Sequence, residues 1–299
     1  LIVRRGSAAL RLGGGVYDVD ATDRTTEEIC TGEPFCTDFF VAPEDERGGN
    51  VYAYGTLAVS RSMTVEAGLA YETVNLPYAD EEELSPKLGI YWRPTDRLEL
   101  RAAAFRHLSR SFVVDQTIEP TSIAGFGQFL DDRVGTSVDE YSASAVYRLS
   151  RDLRLGGQLT HRNVADRLIG SSPTTGLDDD LALLFAYWTP TDRLAFSLSP
   201  RVERFRQSEN DPVAGSPTRI WTTIVPLAGR YFHPSGFFAE LVGTYVTQDF
   251  EEFGGVTESD ERDDGLLVDA AIGYRLPQRR GIVSLSVTNI LDQRLDFRD

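Results

Sequence analysis

Three histidines, His107, His161 and His233, are the whole supply of imidazole in the 299-residue chain, and imidazole is the side chain that most often serves as a general base. His107 and His161 each fall about one strand length beyond a short polar turn, at the level where an enzyme built on a membrane barrel would place its catalytic groups. His161 shares its parity with Leu155 and Leu159, which makes it an interfacial rim residue rather than a base. His233 sits in the turn HPSG at the opposite end, too far away to join the others. A hydrolytic constellation needs a nucleophile, a base and an orienting group within hydrogen-bond reach of one another. The sequence advertises none, so no catalytic residue is assigned and no enzyme is expected.

Carboxylates come in runs: DVDATDRTTEE (18–28), PEDERGG (43–49), ADEEE (79–83), GLDDD (176–180) and ESDERDDG (258–265). Carboxylate oxygens could collect calcium, or bridge through it to lipopolysaccharide phosphates, but none of the runs has the spacing of a twelve-residue EF-hand loop. Solvated connections that keep a surface soluble are the simpler reading, and no metal site or cofactor is predicted. Gly13 to Gly15 read as a flexible loop entrance, because no GxxxxGK[ST] pattern or following helix makes them a phosphate cradle. Cys30 and Cys36, in ICTGEPFC, are the only two cysteines, too few for a four-ligand zinc site. A local disulfide is preferred over free thiols, which points to an oxidising compartment.

Charge and hydropathy narrow the classes further. With 46 acidic against 30 basic residues and a net charge of −16, the chain has no basic block for a phosphate backbone, so nucleic acid is excluded as a partner. The longest apolar run surrounds LALLFAYW (181–188), well short of a helical membrane span. A transmembrane barrel escapes that test, since its strands alternate and average to neutral. The chain starts at Leu1 without a signal-peptide core, as a processed or partial polypeptide would.

The elements that must position these residues are marked by turns. WRPTDRL (92–98) is echoed by WTPTDRL (188–194), and looser hairpins lie in 57–69, 146–159, 230–241 and 273–286. Pro, Ser-Arg-Asp and Pro-Ser-Gly supply the turn chemistry. Strands are read near 1–11, 50–60, 63–75, 84–93, 97–107, 137–149, 153–164, 179–190, 193–206, 218–232, 236–250, 264–276 and 281–291. Longer polar connections fall at 12–49, 75–83, 108–136, 165–178, 207–217 and 250–263. Short turns at one end and long loops at the other are the asymmetry of an outer-membrane barrel.

Alternation assigns the faces. Leu155 and Leu159 oppose Arg154 and Gln158, Leu98 and Leu100 oppose Glu99 and Arg101, and Leu266, Val268 and Ile272 oppose Asp269 and Gly273. An apolar face meets lipid and the charged face lines the interior. On that parity Glu66, Glu72, Glu99, Arg101, Arg154, Arg201, Glu203, Glu240 and Asp269 line the lumen, either as selectivity charges of an open pore or as a neutralised, salt-bridged filling. Tyr91, Trp92, Tyr147, Tyr187, Trp188, Tyr231, Phe232 and Tyr274 precede the short turns as an interfacial aromatic girdle.

The expected fold class is therefore all-β, one transmembrane antiparallel up-and-down β-barrel domain over 1–299 in the bacterial outer membrane. Thirteen strands are read, and even strand counts in bacterial barrels imply about fourteen, with a closing strand beyond Asp299. LSPKLGIYWRPTDRLELRAAAFRHLSRS (84–111) and VSLSVTNILDQRLDF (283–297) resemble strands of TonB-dependent receptor barrels. DQTIEPTSIAGFGQFLDD (115–132) and YFHPSGFFAELVGTYV (231–246) resemble barrel domains fused to tetratricopeptide-repeat regions in large outer-membrane proteins. The resemblance implies transport of a solute or polymer across the outer membrane. It departs from the receptors in that these residues hold no plug, TonB box or helical repeat, so energised uptake is not carried over. The alternative is a structural barrel anchoring a periplasmic domain or a surface assembly. Outer-membrane lipid and lipopolysaccharide are the expected surroundings, with a periplasmic partner or fused repeat domain.

Overall fold

A computed structural model describes residues 1–22, 27–30, 36–39, 43–77, 79–110, 119–128, 132, 134–166, 175–207, 217–253 and 258–295. Its strands are β1 (Ile2–Arg5), β2 (Ala8–Thr22), β3 (Glu27–Cys30), β4 (Cys36–Phe39), β5 (Pro43–Ala58), β6 (Met63–Leu76), β7 (Ala79–Thr95), β8 (Leu98–Leu108), β9 (Ser122–Ile123) and β10 (Phe126–Gly127). They continue as β11 (Ser137–Arg148), β12 (Leu153–Asp166), β13 (Thr175–Thr191), β14 (Leu194–Leu198), β15 (Arg201–Gln207), β16 (Pro217–Phe232), β17 (Phe237–Phe253), β18 (Glu258–Arg275) and β19 (Ile282–Val287). Fifteen of them form one sheet in the order β1-β2-β5-β6-β7-β8-β11-β12-β13, then β14 with β15, then β16-β17-β18-β19. Every pairing is antiparallel between strands adjacent along this path, the up-and-down connectivity of an outer-membrane barrel wall. The hairpins β3–β4 and β9–β10 stand apart from this sheet.

Three of the tight turns share one local device. Thr95 Oγ accepts hydrogen bonds from the backbone of Arg97 and Leu98 (3.3 and 3.1 Å), and Ser150 Oγ from Asp152 and Leu153 (3.2 and 3.0 Å). Thr191 in the repeated PTDRL sequence accepts from Arg193 in the same way (3.3 Å). A side-chain oxygen that satisfies the backbone two or three residues on closes the turn without help from the rest of the sheet. This is why the short hairpins are legible in the sequence.

Several expected boundaries move. The strand expected at 1–11 is a hairpin, β1 to β2, turning at Gly6 with φ +60°. Gly13 to Gly15 are not a loop entrance but the middle of β2. The expected connections 75–83 and 250–263 are mostly strand, since β6 ends at Leu76, β7 starts at Ala79 and β18 starts at Glu258. The acidic runs 43–49, 79–83, 176–180 and 258–265 accordingly belong to β5, β7, β13 and β18 and not to loops. Their charge is tolerated in strands because opposite charges pair across the sheet: Arg162 Nη1 lies 3.1 Å from Asp179 of the run 176–180, while Arg47 and Arg262, within the runs 43–49 and 258–265, stand 3.2 Å from Asp18 and 3.6 Å from Asp249 on the neighbouring strands. Opposite charges directly across an antiparallel pair are stabilising.

One face of the sheet is apolar and open: Leu69, Leu159, Leu184, Leu227 and Leu241 are 47–64% exposed. An apolar surface this extensive has lipid as its natural contact. Directly paired residues share a face, so the register sorts the girdle. Trp92, Tyr147, Trp188, Tyr231 and Tyr274 lie on this outer face. Tyr91, Tyr187 and Phe232 are corrections: Tyr91 donates to Glu99 on the inner face (2.9 Å), Tyr187 pairs with Arg154, and Phe232 pairs with Phe238. In a strand of period two, adjacent aromatics cannot both meet lipid. A second outer-face row, Tyr71, Tyr141, Trp221 and Tyr245, stands further from the short turns. Tyr71 is eight positions along β6 from Met63, which pairs with Trp92, or about 26 Å of strand at roughly 3.3 Å per residue.

Glycines on the inner face make room for rings on the neighbouring strand. Gly13 pairs with Tyr52, Gly68 with Tyr54, Gly156 with Phe185 and Gly273 with Phe238. A Cβ at Gly68 would stand 2.6 Å from the Tyr54 ring. Gly68→Val is therefore expected to cost about 1–3 kcal/mol by overpacking, read as a lower denaturation midpoint. Gly243→Ala, where nothing lies within 4 Å, should leave the midpoint nearly unchanged.

Candidate lumen site

The most buried part of the molecule lies on the inner face of β5 to β8, where part of the connection between β8 and β11 folds against the sheet. In that segment, 119–128, Ile123 and Gln128 are 0% exposed and Phe126 5%. Ile123 and Phe126 pack with Tyr52, Tyr54, Ala70, Ala103 and Phe105 in one apolar cluster. The β9–β10 hairpin gives the segment its shape, with the turn residues Ala124 and Gly125 at φ +50° and +92°. It fits closely because Gly89 opposite has no side chain: a Cβ there would come within 2.8 Å of Ile123 and Ala124.

A polar clasp holds the segment. The buried Glu119 carboxylate accepts hydrogen bonds from Asn50 Nδ2 (2.5 Å), Tyr54 OH (2.7 Å) and Arg110 Nη2 (3.1 Å). The same Arg110 nitrogen is 3.3 Å from Glu72 of the sheet, whose carboxylate also accepts from Ser85 Oγ and from the Leu108 backbone (3.2 Å). Arg110 thus bridges one carboxylate of the wall and one of the segment. Glu66 adds a third anchor, accepting from the Ala124 backbone at 2.9 Å. Buried charges of this kind persist only when paired and hydrogen-bonded.

A second cluster fixes the far end of the connection. Asp132, between β10 and β11, takes a hydrogen bond from Arg162, while its carboxylate stands 3.8 Å from the buried His107. Burial alone would raise the Asp132 carboxyl, but His107 and the Arg162 guanidinium outweigh it and hold it below the usual carboxylate range. His107 is thus an interior residue beside this tether. His161 is on the outer face, 2.7 Å from Asp180 and stacked on Tyr141, and His233 accepts from the Ser235 backbone within its own turn (3.2 Å). The three imidazoles do not converge. Among the described residues no cluster of three His, Cys, Asp or Glu side chains is placed to hold a metal ion.

The nine charged positions expected at the lumen all share the face of the buried residues, by pairing with or alternating alongside them. Glu66, Glu72, Glu99 and Arg101 lie on the wall that the segment covers, with Arg101 donating to Glu99 (2.9 Å) and packing over the Tyr91 ring. Arg154 is on β12. Away from the segment, Arg201 and Glu203 are 3.3 Å apart, Arg230 donates to Glu240 (2.9 Å), and Asp269 accepts from the Asn289 backbone (2.7 Å). The last contact belongs to the NILD sequence, where Asn289 adopts φ +49° and closes a turn through Gln293. Cys30 and Cys36 face each other in the β3–β4 register; their side chains lie outside the described residues. The acidic run 18–28 is likewise only partly described.

The segment itself was not expected. Residues 108–136 read as a polar outer connection, and within 119–128 the apolar residues that the structure buries are Ile123 and Phe126, beside Gly125 and Gly127.

No family model matches the chain, and neither does any curated protein. Solved structures do match. The FrpB iron transporter from Neisseria meningitidis aligns over 98% of this chain and 49% of its own, with 14% identity and a TM-score of 0.67. The ferric yersiniabactin uptake receptor FyuA from Yersinia pestis aligns over 98% and 52%, with 13% identity and a TM-score of 0.57. The ferric-catecholate import receptor Fiu from E. coli K12 aligns over 98% and 49%, at 12% identity and 0.59. All three are TonB-dependent receptors. The fold is that of their barrel, a fold of the bacterial outer membrane. The chain spans about half the length of these TonB-dependent receptors.

Proposed function

We propose that this chain forms the wall of an outer-membrane transport barrel, and that the segment 119–128 restricts its lumen on the β5–β8 side. The observation that carries the reading is the clasp: Arg110 is held between Glu72 of the wall and Glu119 of the segment, both fully buried side chains. A connection tied this firmly to the inner face of a barrel narrows whatever passes. The uncovered charges, Arg201, Glu203, Glu240 and Asp269, then line the passage, and Arg101 lies beneath the segment, where a Cβ on Gly125 would meet its guanidinium. The similarity to receptors whose names specify iron or ferric cargo supports transport as the class.

The test is ion selectivity in planar bilayers. Glu203→Arg is expected to shift the reversal potential toward anions, whereas Arg101→Glu should shift it little while the segment is in place. No shift from Glu203→Arg in a conducting barrel would contradict the lumen assignment. The extent of charge compensation on the inner face favours a second reading, a filled barrel that anchors a periplasmic partner, a fused repeat domain or a surface assembly, and a folded protein that never conducts would support it. The disulfide between Cys30 and Cys36 belongs with these proposals: non-reducing alkylation should label neither cysteine, and labelling of both would contradict it.

A further inference from the structure

We infer that the short-turn end of the lumen carries a docking site for an acidic peptide segment of a periplasmic partner. Charge in this chain is divided between its two ends. The acidic runs 43–49, 79–83, 176–180 and 258–265 occupy the ends of β5, β7, β13 and β18 that lie away from the short turns. The short turns instead hold Arg61, Arg97, Arg151, Arg193 and Arg280 against Asp96, Asp152 and Asp192. Short turns are the periplasmic side of an outer-membrane barrel, so a molecule of net charge −16 is basic where it faces the periplasm.

On the inner face of this end three arginines stand in a row. Arg148 on β11 pairs directly with Arg154 on β12, and on its other side its backbone N–H donates to the Arg97 carbonyl (2.8 Å). Neighbouring strands stand about 4.8 Å apart, so the three positions follow one another along roughly 10 Å of rim. All three residues are exposed, and among the described residues none of them makes an ion pair. Glu99, the next carboxylate along the same face of β8, is taken by Arg101 and Tyr91 (2.9 Å each). Like charges directly opposite each other destabilise a sheet, and no carboxylate of the wall offsets this row. Tyr187, directly across from Arg154 and exposed, extends it with a ring and a hydroxyl. The surroundings select the occupant. The row faces the lumen, out of reach of the surrounding bilayer's headgroups. It is longer than one anionic group and matches a chain bearing several carboxylates, each of which a guanidinium fork can bind through two hydrogen bonds. The acidic far end repels such a chain while the basic turns attract it, so its approach is steered to this rim.

The inference rests on the membrane barrel reading, which heat modifiability of the same preparation tests separately. The full chain, refolded in detergent, is titrated at low salt with fluorescein-labelled oligoglutamate and followed by anisotropy. Saturable binding is expected, weakening as salt is added. Affinity should fall at least tenfold in Arg97→Gln/Arg148→Gln/Arg154→Gln. It should fall less than threefold in Arg61→Gln/Arg193→Gln/Arg280→Gln, which removes the same charge from the turns. No binding by the parent, or equal losses in the two triple variants, overturns the inference while the barrel remains heat-modifiable. Unlabelled tripolyphosphate that competes as well as unlabelled oligoglutamate would overturn the peptide as occupant and make the row a small-anion site. Loss of heat modifiability in the parent protein would count against the barrel reading and take the inference with it.

Discussion

Leu227→Arg is expected to destabilise the protein by about 2–4 kcal/mol in a bilayer, the cost of an arginine on the lipid face near the membrane midplane. Leu227 is 56% exposed on the outer face of β16, between Tyr231 of the near aromatic row and Trp221 of the far one. Thr244→Arg is the paired control. Thr244 sits one strand away, opposite Pro226 on the inner face, where the new guanidinium finds water and the carboxylates of the lumen side. Its cost should stay within about 1 kcal/mol, as for most substitutions that leave no buried charge unpaired. Denaturant titration in lipid vesicles reads both. Equal costs at the two positions would mean that the apolar face does not meet lipid.

Glu119→Ala should have the largest effect on the lumen side. It removes the acceptor shared by Asn50, Tyr54 and Arg110, and leaves the Arg110 guanidinium, only 4% exposed, with Glu72 as its acidic partner in the clasp. Removing one partner of a buried ion pair costs roughly 3–5 kcal/mol. The loss falls on the segment and not on the fifteen-stranded sheet, whose pairing does not involve Glu119. Hydrogen exchange should therefore quicken in 119–128 with little change in β16 to β18. Glu119→Gln, which keeps an acceptor but not the charge, should show a smaller version of the same effect. Uniform loss of protection across the sheet would place Glu119 in the scaffold instead.

These two sites also show where the sequence is transparent. The faces of β8, β12 and β18 are written in alternation that needs no partner to be read: Leu155 and Leu159 against Arg154 and Gln158, Ile272 against Asp269. The short turns are equally local, because Thr95 and Ser150 close them within a few residues. What stays hidden depends on a neighbour remote in sequence. Gly13 to Gly15 look like a loop until Tyr52, opposite on β5, fills the space that the missing side chain leaves. The acidic runs look like solvent-exposed loops until Arg162 faces Asp179 across the sheet, and until Arg262, inside its own run, meets Asp249 on the neighbouring strand. Aromatic doublets such as Tyr91-Trp92 look like one girdle, although period two sends one ring to each face. The segment 119–128 is the extreme case: its hairpin is short, and its burial is decided by Gly89, Glu72 and Asn50 on three other strands.

The central claim is that the segment 119–128 closes one side of a transport lumen, and single-channel conductance of the full chain and its Glu119→Ala variant in planar bilayers tests it most directly. A small or absent unitary conductance is expected in the parent and a several-fold larger one in the variant, with the selectivity of the enlarged pore now sensitive to Arg101→Glu. Identical conductance in the two proteins, with hydrogen exchange showing the segment released, would contradict it.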